Sequence, residues 1–152
     1  MPELVPLSPD EEVLWRAMIR VMVALPRALD YDLLHSAGLA LHEYAVLLNL
    51  SEADDREMRM TELADAVALS PSRITRLVDD LKARGLVTKF RSATDGRGNV
   101  ARLTDKGLTR LESAYPDHLA SVRSRVFDHL SPATVKRLGP EFVRVSENLG
   151  ED

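Results

Sequence analysis

The chain contains no cysteine among its 152 residues. Structural disulfides, zinc sites built on thiolates and redox sensing by cysteine are therefore excluded. The chain also lacks a long hydrophobic run, because its most apolar stretch, Val13 to Leu25, is too short to span a bilayer and contains Arg16 and Arg20. No signal-peptide pattern opens the sequence. We therefore expect a cytoplasmic protein with no membrane partner.

Motifs of the common enzyme classes are missing as well. The sequence has no G-x-S-x-G nucleophile motif, no phosphate-binding glycine loop and no dinucleotide fingerprint. Asp79 and Asp80 are adjacent carboxylates, but neighbouring side chains on a helix point about 100° apart, which favours solvation over acid–base catalysis. The histidines show no recognised metal-ligand spacing, although folding could bring His42, Glu43 and His118 together. We predict no enzyme, no cofactor and no metal site.

The stretch from Thr61 to Gly107 predicts two helices joined by a tight turn, followed by a two-stranded hairpin. The second helix begins at Ser70-Pro71, where a hydroxyl can cap exposed N–H groups and proline fits the first helical position. Its core-facing side recurs at i, i+3, i+4 and i+7, and consists of Ile74, Leu77, Val78 and Leu81. The opposite face carries short polar side chains and two arginines, namely Ser72, Arg73, Thr75 and Arg76. Such a face suits major-groove reading, because an arginine can bond O6 and N7 of guanine and small hydroxyls allow close approach.

The hairpin that follows strengthens this interpretation. Its strands are predicted from the alternating segments Val87 to Arg91 and Asn99 to Leu103. Between them a glycine-rich turn supplies residues that tolerate positive φ and places Arg97 at the tip. An arginine on a thin hairpin can enter the minor groove, where negative potential is concentrated. Asp95 could restrain this arginine or only close the turn.

The charges are divided unevenly along the chain. The net charge is −4. Residues 70–102 contain eight basic and three acidic side chains, so this segment carries +5 and the remainder −9. Binding to nucleic acid follows the local field more than the net total, so this pattern indicates a basic binding face on an acidic body.

The flanking segments predict helices with more apolar surface than a small domain can cover. The first helix follows a capping box at Ser8 and is apolar almost all round to about Ser36, with a kink or restart at Pro26. After the hairpin, a long helix starts at Asp105, bends at Pro116 and carries an apolar seam. A last amphipathic helix reaches the C-terminus. The first and last helices lack an obvious partner within one copy, which indicates a second subunit.

The order of these elements resembles the MarR family of transcriptional regulators. The residues that carry the resemblance are LSPSRITRLVDDLKARGLV at 69–87 and the wing pattern D-x-R-x5-L-T-x2-G, formed by Asp95, Arg97, Leu103, Thr104 and Gly107. The resemblance covers almost the whole chain. It implies a mainly α fold, an α+β winged helix-turn-helix whose N- and C-terminal helices form a dimerisation region.

The resemblance also implies a domain division and a set of contacts. Residues 1–36 and 108–152 would form the helical dimerisation region, and residues 37–107 the DNA-binding domain. The implied protein is a homodimeric repressor that binds a pseudo-palindromic operator in double-stranded DNA and is released by a small effector. We predict these DNA contacts: Ser70, Ser72, Arg73, Thr75, Arg76, Arg91, Asp95 and Arg97.

An effector pocket is less strongly specified by the sequence. In the family, small molecules often bind between the dimer helices and the DNA-binding lobe. The residues predicted for such a pocket are Trp15, Arg16, Arg20, His42 and His118. An arginine would suit the carboxylate of an aromatic or phenolic effector and Trp15 could stack on its ring. Trp15 could equally anchor the core or the subunit interface, and the arginines could simply face solvent.

Two other functions remain open at this stage. A winged helix without sequence preference would act architecturally, with strongly salt-dependent binding to any duplex. A winged helix used for protein contact would need apolar anchors beside its arginines. Phe90 is the only aromatic residue in the basic segment and could equally belong to the core.

Overall fold

The computed structural model describes residues 4–92 and 98–149. Its elements, in chain order, are α1 (Pro9–Ala37), α2 (Leu41–Glu52), β1 (Glu57–Arg59), α3 (Met60–Ala66), α4 (Pro71–Ala83), β2 (Val87–Arg91), β3 (Asn99–Leu103), α5 (Asp105–Arg125) and α6 (Pro132–Asn148). Short 3-10 turns precede β1 and follow α5. The predicted mainly α fold with a small winged sheet is confirmed.

The sheet has three antiparallel strands in the order β1-β3-β2. β3 lies in the centre, where Ala101 is opposite Met58 of β1 and Lys89 of β2. The hairpin β2–β3 is the wing, and β1 joins it from the segment before the helix-turn-helix. The sequence Met58-Arg59-Met60 predicts a short strand against the wing, and the strand is present one residue earlier, at Glu57–Arg59.

Local caps explain where most helices begin. Ser8 and Glu11 form the predicted capping box of α1. The N-cap residue of α2 is Ala40, which has no capping side chain, and Asp30 of α1 takes that role by accepting a hydrogen bond from the Leu41 amide at 2.7 Å. This bond fixes the end of α1 against the start of α2.

The internal prolines do not interrupt their helices. Pro26 lies within the continuous helix α1, and Pro116 lies within α5. A restart of the helix at Pro26 is excluded, because one proline removes a single N–H donor while the hydrogen bonds of the other turns remain. The kink at Pro26 and the bend at Pro116 stay predictions. The spacing of apolar residues predicts one helical seam as far as Leu130, but α5 stops at Arg125 and a 3-10 turn follows at Phe127–His129.

The buried core is centred on the segment from α2 to β3, which we call the winged lobe (residues 41–103). It contains Leu47, Leu50, Ile74, Val78 and Leu81, each no more than 1% exposed. Side chains from both flanking helices join the same cluster, namely Leu33 of α1 with Leu111 and Ala114 of α5. The ends of these two helices therefore belong to the core of the lobe.

Gly107 sets the position of α5 on this core. A Cβ at Gly107 would lie 2.1 Å from the carbonyl oxygen of Leu86, so only glycine allows the first turn of α5 to approach the start of β2. Thr104 caps this turn, accepting from the Gly107 amide at 3.0 Å and donating to the Gly85 carbonyl at 2.8 Å.

Other parts of the chain leave their apolar side chains uncovered. We call residues 9–28 of α1 together with α6 the helical arms. In α1 the side chains of Val13, Trp15 and Met22 are at least half exposed. Within residues 132–148, no side chain of α6 is buried, and Phe142 is 49% exposed.

Candidate nucleic-acid interface

Helix α4 has one buried and one exposed face, as its sequence pattern predicted. Ile74, Val78 and Leu81 face the core. The predicted contact residues Ser72, Arg73, Thr75 and Arg76 are all exposed on the other side. This face is hydrophilic, cationic and carried on a helix fixed by the core behind it.

The two hydroxyls near the start of α4 are engaged differently from the sequence-based expectation. Ser70 occupies the N-cap position, but its hydroxyl bonds no amide of α4 and lies 3.3 Å from that of Ser72, so the predicted side-chain cap is wrong. Thr75 donates its hydroxyl hydrogen to the Pro71 carbonyl at 2.8 Å. What Thr75 offers at the surface is therefore its methyl group and the remaining lone pair of its oxygen.

The wing is described up to its base. Arg91 is exposed at the end of β2, and the Ser92 amide donates to the Gly98 carbonyl at 2.9 Å. The predicted contacts Asp95 and Arg97 lie outside the described residues.

Several basic residues of the described winged lobe are paired within the fold, among them Arg56, which pairs with Asp105 at 3.1 Å. Lys89 of β2 donates to Asp79 of α4 at 2.7 Å and so ties the wing to the helix. Arg84 pairs with Glu43 at 2.9 Å. Arg102 pairs with Glu57 and lies over the ring of Phe90, 4.8 Å from its centre, so Phe90 serves the sheet and is no exposed anchor.

The arginines predicted to contact DNA differ from this paired set. Among the described residues, Arg73, Arg76 and Arg91 have no ion-pair partner. Their charges are therefore uncompensated locally and are available to a polyanion.

The five residues predicted for an effector pocket lie in different environments. Trp15 is 51% exposed on α1, and Arg16 pairs with Glu12 one turn away at 3.1 Å. Arg20 lines an apolar cavity of about 710 Å³ between α1 and the end of α5. His42 is exposed at the start of α2. None of the other four residues shares the cavity of Arg20.

The fifth residue, His118 of α5, contacts the winged lobe. Its ring stacks on that of Tyr44 in α2, with centres 4.4 Å apart. Its Nδ1 atom is buried without a hydrogen-bond partner among the described residues. Burial therefore lowers the pKa of His118, because the charged imidazolium would lose its hydration there.

A polar brace between α1 and α5 was not predicted from the sequence. Asp32 accepts two hydrogen bonds from Arg125, at 2.7 and 2.8 Å, and one from Ser121 at 2.5 Å. These bonds lower the pKa of Asp32 to about 2. The partners are about ninety residues apart in sequence, so no local sequence pattern predicts the contact.

The described part of the chain contains neither a cluster of metal-ligating side chains nor a helix able to span a membrane. Residues 4–92 and 98–149 contain no group of three or more histidine, aspartate or glutamate side chains placed to hold a metal ion. Over the same residues, no helix combines the length and apolar character needed to cross a membrane.

Comparison with known proteins agrees with this geometry. Residues 37–98 match the MarR family model. Sco3205 from Streptomyces coelicolor, a MarR family transcriptional regulator solved in complex with DNA, is 35% identical. The alignment covers 100% of this chain and 95% of Sco3205, with a TM-score of 0.89.

Two curated relatives from Bacillus subtilis (strain 168) also match. The HTH-type transcriptional repressor YetL is 32% identical over 112 residues, which cover 72% of this chain and 67% of YetL. The HTH-type transcriptional regulator MhqR is 34% identical over 89 residues, or 59% of this chain and 60% of MhqR.

The fold and the exposed face of α4 thus define a DNA-binding winged helix-turn-helix protein. The chain belongs to the MarR family of transcriptional regulators. Membership also confirms that the protein is a regulator of transcription and no enzyme.

Proposed function

We propose that this protein is a homodimeric, sequence-specific transcriptional repressor that binds a pseudo-palindromic operator and releases it when a small molecule binds. The observation that carries the proposal is the exposed face of α4, where Arg73 and Arg76 have no ion-pair partner among the described residues and lie beside short polar side chains. Arginine forks at that spacing can read guanine edges in the major groove. Of the predicted contacts, Ser70, Ser72 and Thr75 would allow α4 to approach the DNA closely. Arg91 and Arg97 would contact the DNA from the wing.

The homodimer is supported by the helical arms. Their apolar side chains are too numerous and too exposed for a stable monomer surface, and a second copy presents the same surface about a two-fold axis. Two copies of α4 related by such an axis would read two half-sites, which explains why we propose a pseudo-palindromic operator.

Repression and effector release have separate support. YetL, 32% identical, carries the name of a repressor. The apolar cavity beside Arg20 combines a hydrophobic lining with a cation, which suits a small aromatic or phenolic acid. Trp15, Arg16, His42 and His118 remain candidate ligand contacts. Because such a regulator works on DNA, we place it in the cytoplasm.

The test is fluorescence anisotropy of labelled duplexes over a range of salt concentrations. One duplex comes from upstream of the protein's own coding region, and the control has the same composition in scrambled order. Tight binding to the first at a salt concentration that frees the second is the expected result. Equal binding to both duplexes would contradict sequence-specific repression at this site and favour an architectural role.

A further inference from the structure

A polar groove opens between α4 and the base of the wing. It has a volume of about 310 Å³. The residues that line it come from β1, α3, α4, β3 and β2, and include Arg59, Thr61, Thr75, Asn99 and Lys89. Of the predicted DNA contacts that lie within the described residues, Thr75 alone lines this groove.

Two cations are held at the groove by the fold. The Lys89 side chain is 19% exposed, and Asp79 fixes its ammonium group at 2.7 Å. An ammonium group has three N–H donors, so Lys89 retains donors for another acceptor. The guanidinium of Arg59 lies beside Gly98, with Nη1 3.7 Å from the place where a Cβ would project from that glycine.

The shape of B-DNA suggests which part of the duplex would lie against this groove. Its major and minor grooves are separated by a sugar–phosphate backbone. If α4 enters the major groove and the wing enters the adjacent minor groove, that backbone must pass between the two elements. The groove lined by Arg59 and Lys89 occupies this position.

We propose that the groove is a phosphate-binding site, in which Arg59 and Lys89 hold the DNA backbone that separates the two grooves read by α4 and the wing. The inference rests on the proposed function and adds residues to it. The described residues that line the groove include no carboxylate, and Thr61 and Asn99 among them supply further hydrogen-bond donors. Contacts of this kind fix the register of the protein on the duplex without reading its sequence.

The salt dependence of binding tests the proposal. Each phosphate contact contributes about 0.9 to the slope of log K against log salt. In a homodimer, Lys89→Gln should therefore lower the slope by about 1.8, and Arg59→Gln by a similar amount. Affinity should fall by the same factor for the operator and for the scrambled duplex, and Lys136→Gln on α6 should leave the slope unchanged.

A second variant separates phosphate binding from a purely structural ion pair. Asp79→Asn breaks the same pair as Lys89→Gln but keeps the lysine charge, so its slope should stay at or above that of the wild type. Equal slope losses in both variants would overturn the proposal, as would wild-type slopes in both Lys89→Gln and Arg59→Gln. A wild-type protein that binds neither duplex would instead refute the proposed function itself.

Discussion

The winged lobe and the helical arms differ in how much of their apolar side-chain surface is exposed. In the lobe, Leu47, Leu50 and Val78 are completely buried. In the arms, Trp15 and Phe142 are about half exposed, although both lie on helices as regular as those of the lobe. The lobe closes its own core, while the arms have a core-forming surface that one copy does not cover. The difference predicts that the two regions respond differently to substitution.

The largest effect is expected for Gly107→Ala in α5. The added methyl group would meet the Leu86 carbonyl oxygen at 2.1 Å, and backbone atoms cannot give way without moving α5 from the lobe. We expect a loss of more than about 4 kcal/mol in the free energy of unfolding, measured by urea titration.

Gly139→Ala in α6 is the matched control, because both glycines lie inside helices. Apart from its chain neighbours and its own helix backbone, no described residue lies within 4 Å of a Cβ at Gly139. Alanine should change the free energy of unfolding by no more than about 1 kcal/mol, since its higher helix propensity is opposed by the contact of its Cβ with the ring of Pro140. Similar destabilisation by both substitutions would contradict the contrast between lobe and arms.

The next largest effect is expected for Val145→Asp in α6. A buried carboxylate would prevent two copies from pairing through the arms, while Val145 is 48% exposed in one copy, so the lobe should stay folded. Loss of the second half-site should weaken operator binding by on the order of 100-fold or more. Sedimentation and anisotropy measure the two consequences.

Lys136→Asp places a carboxylate on the polar side of the same helix and should leave the dimer intact. If Val145→Asp gave a monomer with the wild-type affinity for its operator, the arms would not be the subunit interface that DNA binding requires.

The parts of the fold that depend on local signals could be predicted from the sequence. A hydroxyl residue just before a helical pattern predicts a cap, and Thr104 and Ser131 do cap α5 and α6. The apolar pattern of α4 likewise identified the residues that face the core. These signals act over one or two turns, where side-chain spacing decides the structure.

Contacts between distant segments could not be predicted in the same way. Asp30 caps α2 from the neighbouring helix, and Asp32 holds Arg125 from the other end of the chain. No sequence pattern around either aspartate predicts the residue that it contacts. The predicted effector residues show the same difficulty. Arg20 and His118 were assigned to one pocket only because their side-chain types suit a ligand, and they lie in different surroundings.

A smaller effect is expected for Arg76→Ala on the exposed face of α4. Removing one bidentate base contact should cost about 1–3 kcal/mol of operator binding per half-site and relax the base preference at one position. Lys82→Ala removes the same charge from the last turn of α4 and should weaken all duplexes alike. Binding to a set of single-base operator variants measures the difference. Unchanged preference in Arg76→Ala would remove this residue from the reading face.

The smallest effect is expected for His118→Phe, where α5 meets the winged lobe. Burial keeps the pKa of His118 below its ordinary value of 6.5. As the pH falls below that value, the unfolded chain binds a proton that the folded protein does not, so the wild type loses stability. Phenylalanine preserves the stack on Tyr44 and cannot be protonated, so between about pH 7 and about pH 5 its Tm should fall a few degrees less than that of the wild type. Asp32, with a pKa of about 2, loses its stabilising charge only at lower pH. An identical pH response in His118→Phe and the wild type would show that the contact between α5 and the lobe does not sense protons.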